Sequence, residues 1–134
     1  MKKLNELVLP DDVRYSDDHE WVKIEGDLVR IGISDFAQDQ LGDIVFVELP
    51  SVGETIEKNQ SFGVVESVKS VSDMLIPVGG EVIEVNDALE GNPELVNTDT
   101  YGGGWMLVVK PDDPSEIESL MTPESYKTLL KGSG

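Results

Sequence analysis

From Glu20 to Val109 the chain is a succession of short β-forming runs, each closed by turn residues, and this punctuation limits its fold more than any other feature. Glu20-Trp21-Val22-Lys23-Ile24-Glu25 and Leu28-Val29-Arg30-Ile31-Gly32-Ile33 are joined by Gly26-Asp27, which reads as a hairpin with Val29, Ile31 and Ile33 on one face. Ile44 to Leu49 ends at Pro50, Phe62 to Val68 follows, and Val71 to Ile76 ends at Pro77. Gly79-Gly80 turns the chain into Val82 to Val85, and Gly104 to Val109 is a last strand. Runs this short, continuous or alternating, belong to the core of a sandwich or small barrel.

Helices are expected only at the margins. Ser34 is a natural N-cap and Gly42 a natural stop for a helix over 34–41, with Phe36 and Leu41 turned inward. Gly91-Asn92-Pro93 breaks 86–96 into short helical pieces. Pro114 to Met121 and Pro123 to Leu130 carry proline near N1 behind Asp113 and Thr122 as caps, and are expected to pack on the sheets. Gly42-Asp43-Ile44-Val45-Phe46-Val47-Glu48 resembles Gly80-Glu81-Val82-Ile83-Glu84-Val85-Asn86 at an offset of 38 residues, which suggests a pseudo-twofold sandwich or flattened barrel. With 134 residues, 39% of them hydrophobic, one core and one domain over 1–131 are expected, and 132–134 reads as a flexible end.

Charge excludes partners. Asp and Glu number 27 against 10 Lys and Arg, a net charge of −17, which repels phosphate backbones and anionic lipid; neither nucleic acid nor a membrane surface is expected as a partner. No cysteine is present, so thiolate catalysis, cysteine-held zinc, iron–sulfur clusters and disulfides cannot come from the chain. The single histidine, His19, cannot form a histidine metal cluster and reads as structural. The first residues resemble neither a secretory signal nor a transit peptide, and a bacterial-type cytoplasmic location is expected.

Between residues 31 and 109 there are 14 acidic residues and two lysines, Lys58 and Lys69. Lys58 lies in a turn-like segment and reads as a solvated charge. Lys69 is different: it stands in Glu66-Ser67-Val68-Lys69-Ser70-Val71-Ser72-Asp73, among small and β-branched residues with a strand on either side. A tight turn there offers an accessible amine to a modifying enzyme, although an ordinary hairpin lysine is the plainer alternative. An acyl group of lipoyl type would extend about 12 bonds from Cα to its first sulfur, an arm of roughly 15 Å.

The blocks Asp18-His19-Glu20-Trp21-Val22, Val29-Arg30-Ile31-Gly32-Ile33-Ser34, Ala37 to Pro50, Gly63-Val64-Val65-Glu66-Ser67-Val68-Lys69 and Tyr101-Gly102-Gly103-Gly104-Trp105 closely resemble the H proteins of the glycine cleavage system, over about Tyr15 to Leu130. The resemblance implies a mainly β, lipoyl-type barrel–sandwich hybrid with short peripheral helices, and lipoate on Lys69 at a β-hairpin tip. It implies a non-catalytic carrier that takes an aminomethyl group from glycine decarboxylase (P protein) to aminomethyltransferase (T protein), with reoxidation by dihydrolipoamide dehydrogenase (L protein). Lipoate-attaching enzymes are implied partners too, and a lipoate relay to 2-oxoacid dehydrogenase subunits is an alternative.

The implied cargo is a protonated amine that water can break down. By resemblance it shelters in a groove against Glu20 and Asp73, with Gln40 where some members carry histidine; glutamine can hydrogen-bond but supplies no charge. Leu75-Ile76 and Gly79 also depart from common family residues. A biotin carrier is the less favoured reading, since Val68 and Ser70, not methionines, flank the lysine. A phosphopantetheine carrier would need a serine at a helix start. Trp21 and Trp105 read as packing residues, Gly102-Gly103-Gly104 as a turn, and Asp11-Asp12, Asp17-Asp18 and Asp112-Asp113 as solvated or capping acids.

Overall fold

The computed structural model describes residues 3–133; Met1, Lys2 and Gly134, the outermost residues of the expected domain and tail, lie outside the described residues. Among the described residues a single 3₁₀ turn at Leu4–Glu6 is followed by nine strands and five short α-helices. The strands are β1 (Arg14–Tyr15), β2 (Glu20–Glu25), β3 (Leu28–Ile33), β4 (Ile44–Glu48), β5 (Thr55–Ile56), β6 (Ser61–Ser67), β7 (Val71–Leu75), β8 (Gly80–Val85) and β9 (Leu107–Pro111). The helices are α1 (Asp35–Leu41), α2 (Ala88–Gly91), α3 (Leu95–Thr98), α4 (Ser115–Glu118) and α5 (Pro123–Ser133). All pairings are antiparallel and form two sheets: six strands in the order β1-β2-β3-β9-β8-β5, and three in the order β4-β6-β7. The expected mainly β sandwich with peripheral helices is the observed architecture.

The core lies between the sheets. Val22, Val29, Ile31 and Ile33 of the large sheet meet Ile44, Val47, Val65 and Met74 of the small one, all buried. Alternation along β2 sends Trp21 to the opposite face, where it joins Tyr15, Tyr126 and Leu130 in a second cluster under α5. Trp21 sits across from Gly32, and a Cβ on Gly32 would fall 2.7 Å from the indole ring, so glycine is what lets the ring lie flat on β3.

The internal repeat is structural. Register shifts between Ile44 and Phe46 in β4, and between Val82 and Glu84 in β8, so the bulged residues Val45 and Ile83 share the 38-residue offset of the sequence match. Each copy lies in a different sheet.

Several expected boundaries move. The last strand begins at Leu107, not Gly104, because Gly104 and Trp105 spend their N–H groups on Asp99 and Gly102 and the Trp105 carbonyl accepts from Asn86 Nδ2. Helix α4 is only four residues long, since Met121 pairs in both directions with Tyr15 and draws the chain out of the helix. Val68 belongs to a turn and not to β6. Helix α5 runs to Ser133 where a flexible end was expected; a glycine weakens a helix least in its final turn, where few bonds follow it.

Candidate functional site

Lys69 stands at the tip of the β6–β7 hairpin. The last paired residues are Glu66 and Val71, and the four residues 67–70 close the turn. Ser67 organises that turn. Its N–H donates to Ser70 O at 2.8 Å, and its Oγ accepts from the Ser70 N–H at 3.1 Å and the Lys69 N–H at 3.3 Å. Local serine-to-backbone bonds of this kind stabilise a turn without glycine. Ser67 itself is buried while Val68, Lys69, Ser70 and Val71 are exposed, so the scaffold fixes the backbone and leaves the lysine side chain in solvent.

The tip is tied to the helix before β4. The Val68 N–H donates to Asp43 O at 3.1 Å. A Cβ on Gly42 would lie 3.4 Å from Lys69 Cε, so the lysine stem passes over the end of α1. Gly42 has φ +83°, a value glycine adopts without strain. Asn97 of α3 locks this junction, donating to Gln38 Oε1 at 2.8 Å and Gly42 O at 2.9 Å while its Oδ1 accepts from the Ile44 N–H at 2.9 Å. Gln38 in turn donates to Asp35 Oδ1 at 2.7 Å. Phe36 and Leu41, expected inward, are half-buried; the fully buried α1 side chains are the polar pair Asp35 and Gln38.

The remaining expected site residues fall in two environments. Gln40 is exposed on the last turn of α1, two residues before Gly42. Asp73 is exposed on β7, opposite Val64. Glu20 is buried at the start of β2 with only 3% of its surface exposed. Ser16 Oγ donates to Glu20 Oε1 at 2.6 Å and accepts from the Glu20 N–H at 3.1 Å. The Leu75 N–H donates to the same carboxyl, linking β2 to the far end of β7. Burial pushes the Glu20 carboxyl up to about 8, against the opposing pull of Ser16, with Asp18 adding to the rise. Near neutral pH Glu20 is therefore mostly uncharged, and Asp73 is the solvent-facing acid of the two.

The spacing relates these residues to Lys69. Lys69 to Asp73 is four residue steps, about 13 Å at ~3.3 Å per residue, and Lys69 to Leu75 is six, about 20 Å. A lysine-borne arm of roughly 15 Å laid along β7 therefore reaches Asp73, and the Leu75 level at which Glu20 is held lies beyond its first sulfur. An open cavity of about 400 Å³ lined by Ser16, Asp17, Asp18 and Asn59, among others, adjoins the Ser16–Glu20 pair.

His19 lies away from any ligand chemistry: its ring is half-buried against Phe36 and its Nδ1 shares a 2.8 Å hydrogen bond with Tyr126 Oη. Desolvation holds its pKa below the usual histidine range, against the pull of Asp18 and Asp17. Gly102-Gly103-Gly104 is a turn closed on Asp99, and Lys58, expected as a solvated charge, is half-buried with its Nζ donating to Ser119 Oγ at 3.2 Å. Among the described residues no cluster of three or more metal-ligating side chains occurs, and no helix is long and apolar enough to cross a membrane. The sequence reading missed Ser16, Ser67 and Asn97, whose roles rest on contacts between separate elements; only Ser67, beside the lysine in a turn, carried a local signal.

Comparison with known proteins bears on the whole arrangement. A family model described as "Glycine cleavage H-protein" matches residues 13–133. The "Glycine cleavage system H protein" of Halalkalibacterium halodurans is 57% identical over 122 residues, covering 91% of this chain and 95% of the relative. That of Bacteroides thetaiotaomicron is 51% identical over 123 residues, covering 92% of this chain and 98% of the relative. A crystal structure of a glycine cleavage system H protein from Mycobacterium marinum superposes with a TM-score of 0.84 at 42% identity, covering 91% of this chain and 98% of that one. With a family model spanning nearly the whole described chain and relatives above half identity along nearly all of their length, this chain belongs to the glycine cleavage H-protein family.

Proposed function

We propose that this chain is a lipoyl carrier of glycine cleavage, with lipoate joined to Lys69 Nζ as an amide. The observation that carries this reading is the setting of Lys69: an exposed side chain on a turn whose backbone is fixed by Ser67 and Asp43. The site fits the group. Nothing bulky flanks the amine, and Asp73 on β7 lies within the reach of the arm. When bound, lipoate supplies the disulfide and dithiol that a cysteine-free chain lacks, and with it the means to hold an aminomethyl group.

The chain's own residues then present, shelter and release. The Ser67 turn projects the lysine. Gly42 leaves room for the stem over the end of α1. Along β7, Asp73 offers a charged acceptor to an ammonium. Glu20, held by Ser16 and Leu75, offers a carboxyl that an approaching cation drives toward its ionised form, because a neighbouring positive charge lowers a carboxyl pKa. Gln40 adds a hydrogen-bonding amide near the base of the arm. The catalytic cofactors belong to the partners: pyridoxal phosphate to glycine decarboxylase, folate to aminomethyltransferase and flavin to dihydrolipoamide dehydrogenase. The carrier has no metabolic active site of its own and works in the cytoplasm.

Intact-protein mass spectrometry after incubation with a lipoate-attaching enzyme and lipoate tests the assignment. One lipoyl addition is expected, absent in Lys69→Arg; addition to Lys58 instead overturns it. For the groove, Asp73→Asn and Glu20→Gln are expected to shorten the lifetime of the aminomethyl cargo several-fold while modification of Lys69 is unchanged. Wild-type lifetimes in both variants remove the sheltering role.

A further inference from the structure

At the β4 edge of the small sheet, across from Asp73, lies an open cleft of about 360 Å³ between the end of β4 and the start of α2. Phe46, Leu49, Pro50 and Val85 form its apolar walls, and Glu48, Asp87 and Glu90 are exposed acids on its lining. Asn86, its other polar side chain, is already committed to Gly103 O, Trp105 O and the Ala88 N–H. Among the described residues no cation pairs with the three acids. Phe46 is 47% exposed and its bulged neighbour Val45 52%, so the cleft opens onto uncovered apolar surface.

This surface is continuous with the lysine tip. Phe46 pairs with Glu66 and Glu66 with Val71, a row crossing the sheet to the exposed Val68–Val71 turn. One strand spacing plus three residues puts the cleft within roughly 15 Å of Lys69, about the reach of the arm.

Resting on the carrier reading above, we propose that this cleft is a docking slot for an arginine side chain in a basic patch of the enzymes that act on the Lys69 arm. An arginine stem packs on Phe46 and Leu49, its planar guanidinium lies against the Phe46 ring, and its donors pair with Glu48 and Glu90. A partner anchored there holds its own site within the sweep of the arm. A second copy of the chain is the competing occupant, because Lys3, Lys127 and Lys131 line one basic hollow; the net charge of −17 opposes it.

The test uses a bacterial glycine decarboxylase as partner and the double variant Glu48→Lys/Glu90→Lys, with Glu57→Lys/Glu118→Lys as an equal charge change elsewhere on exposed surface. Binding of the unmodified carrier is measured by titration calorimetry, and KM and kcat with the lipoylated carrier. The cleft variant is expected to raise both Kd and KM by about tenfold or more with kcat nearly unchanged, and the control pair to change each by less than about twofold. Phe46→Ala is expected to weaken binding several-fold even at high salt. Unaltered affinity in the cleft variant, or equal weakening in the control pair, overturns the slot. So does self-association in sedimentation that the cleft variant abolishes while decarboxylase binding stays intact. Failure of the carrier reading looks different: lipoylated wild type then gives no turnover at all.

Discussion

The two ends of this molecule hold their side chains in opposite ways. At the aromatic end, Tyr15 and Tyr126 stack with centroids 4.5 Å apart, and Tyr126 Oη bonds both His19 at 2.8 Å and Ser34 at 2.7 Å. Tyr15, Trp21 and Tyr126 are fully buried. At the hairpin end, four successive residues are exposed, and order resides in the backbone through one serine hydroxyl and the Asp43 carbonyl. A carrier needs both regimes. A packed end supplies stability, and a tip with a rigid backbone and a free side chain supplies reach.

That contrast can be broken from either side. The largest effect on folding is expected from Gly32→Ala, which drives a methyl into the Trp21 ring; overpacking of this kind costs roughly 2–3 kcal/mol, read as a lower urea midpoint, while lipoylation of Lys69 persists in the folded fraction. Glu20, buried between the two regions, is next. Its folded value of about 8 exceeds the ordinary glutamate value of 4.5, so the folded chain keeps a proton that the unfolded chain releases across that window. Stability therefore falls as pH rises above about 5, by on the order of 2 kcal/mol from this group between about pH 6.5 and 9. Glu20→Gln is expected to remove that slope in urea unfolding at pH 5, 7 and 9; an unchanged slope contradicts the buried neutral carboxyl. The smallest effect belongs to Ser67→Ala. Loss of the turn hydroxyl costs about 1 kcal/mol, with faster hydrogen exchange at the Lys69 and Ser70 amides and slower lipoylation. If exchange there is unchanged, the tip is not held as described.

Much of the fold was legible because strands and turns leave local traces. The Gly26-Asp27 hairpin, the Ser34 cap accepting from the Ala37 N–H at 3.2 Å, and the break at Gly91-Asn92-Pro93 all follow from residues adjacent in sequence. The two-residue strands β1 and β5 were not legible, since so short a run has no periodicity and exists only through its partners β2 and β8. The same distinction holds at the site. Lys69 was found from its isolation in an acidic stretch and the block around it, whereas the neutral state of Glu20 depends on burial beneath Ser16 and Leu75. Asp73 and Glu20 carry the same functional group, and only packing separates an exposed acid from a buried one.

Sequence alone therefore determined the strand succession, the 38-residue repeat, the absence of thiols and the lysine at a turn, because each is a property of neighbouring residues or of composition. Tertiary structure decided the rest. It set the shared bulges of the repeat into separate sheets, brought Asn97 to the end of α1, and opened the acidic cleft beside Phe46. The physical reason is that desolvation and hydrogen-bond partnership depend on what is brought together in space, and residues far apart in the chain carry no local sign of meeting.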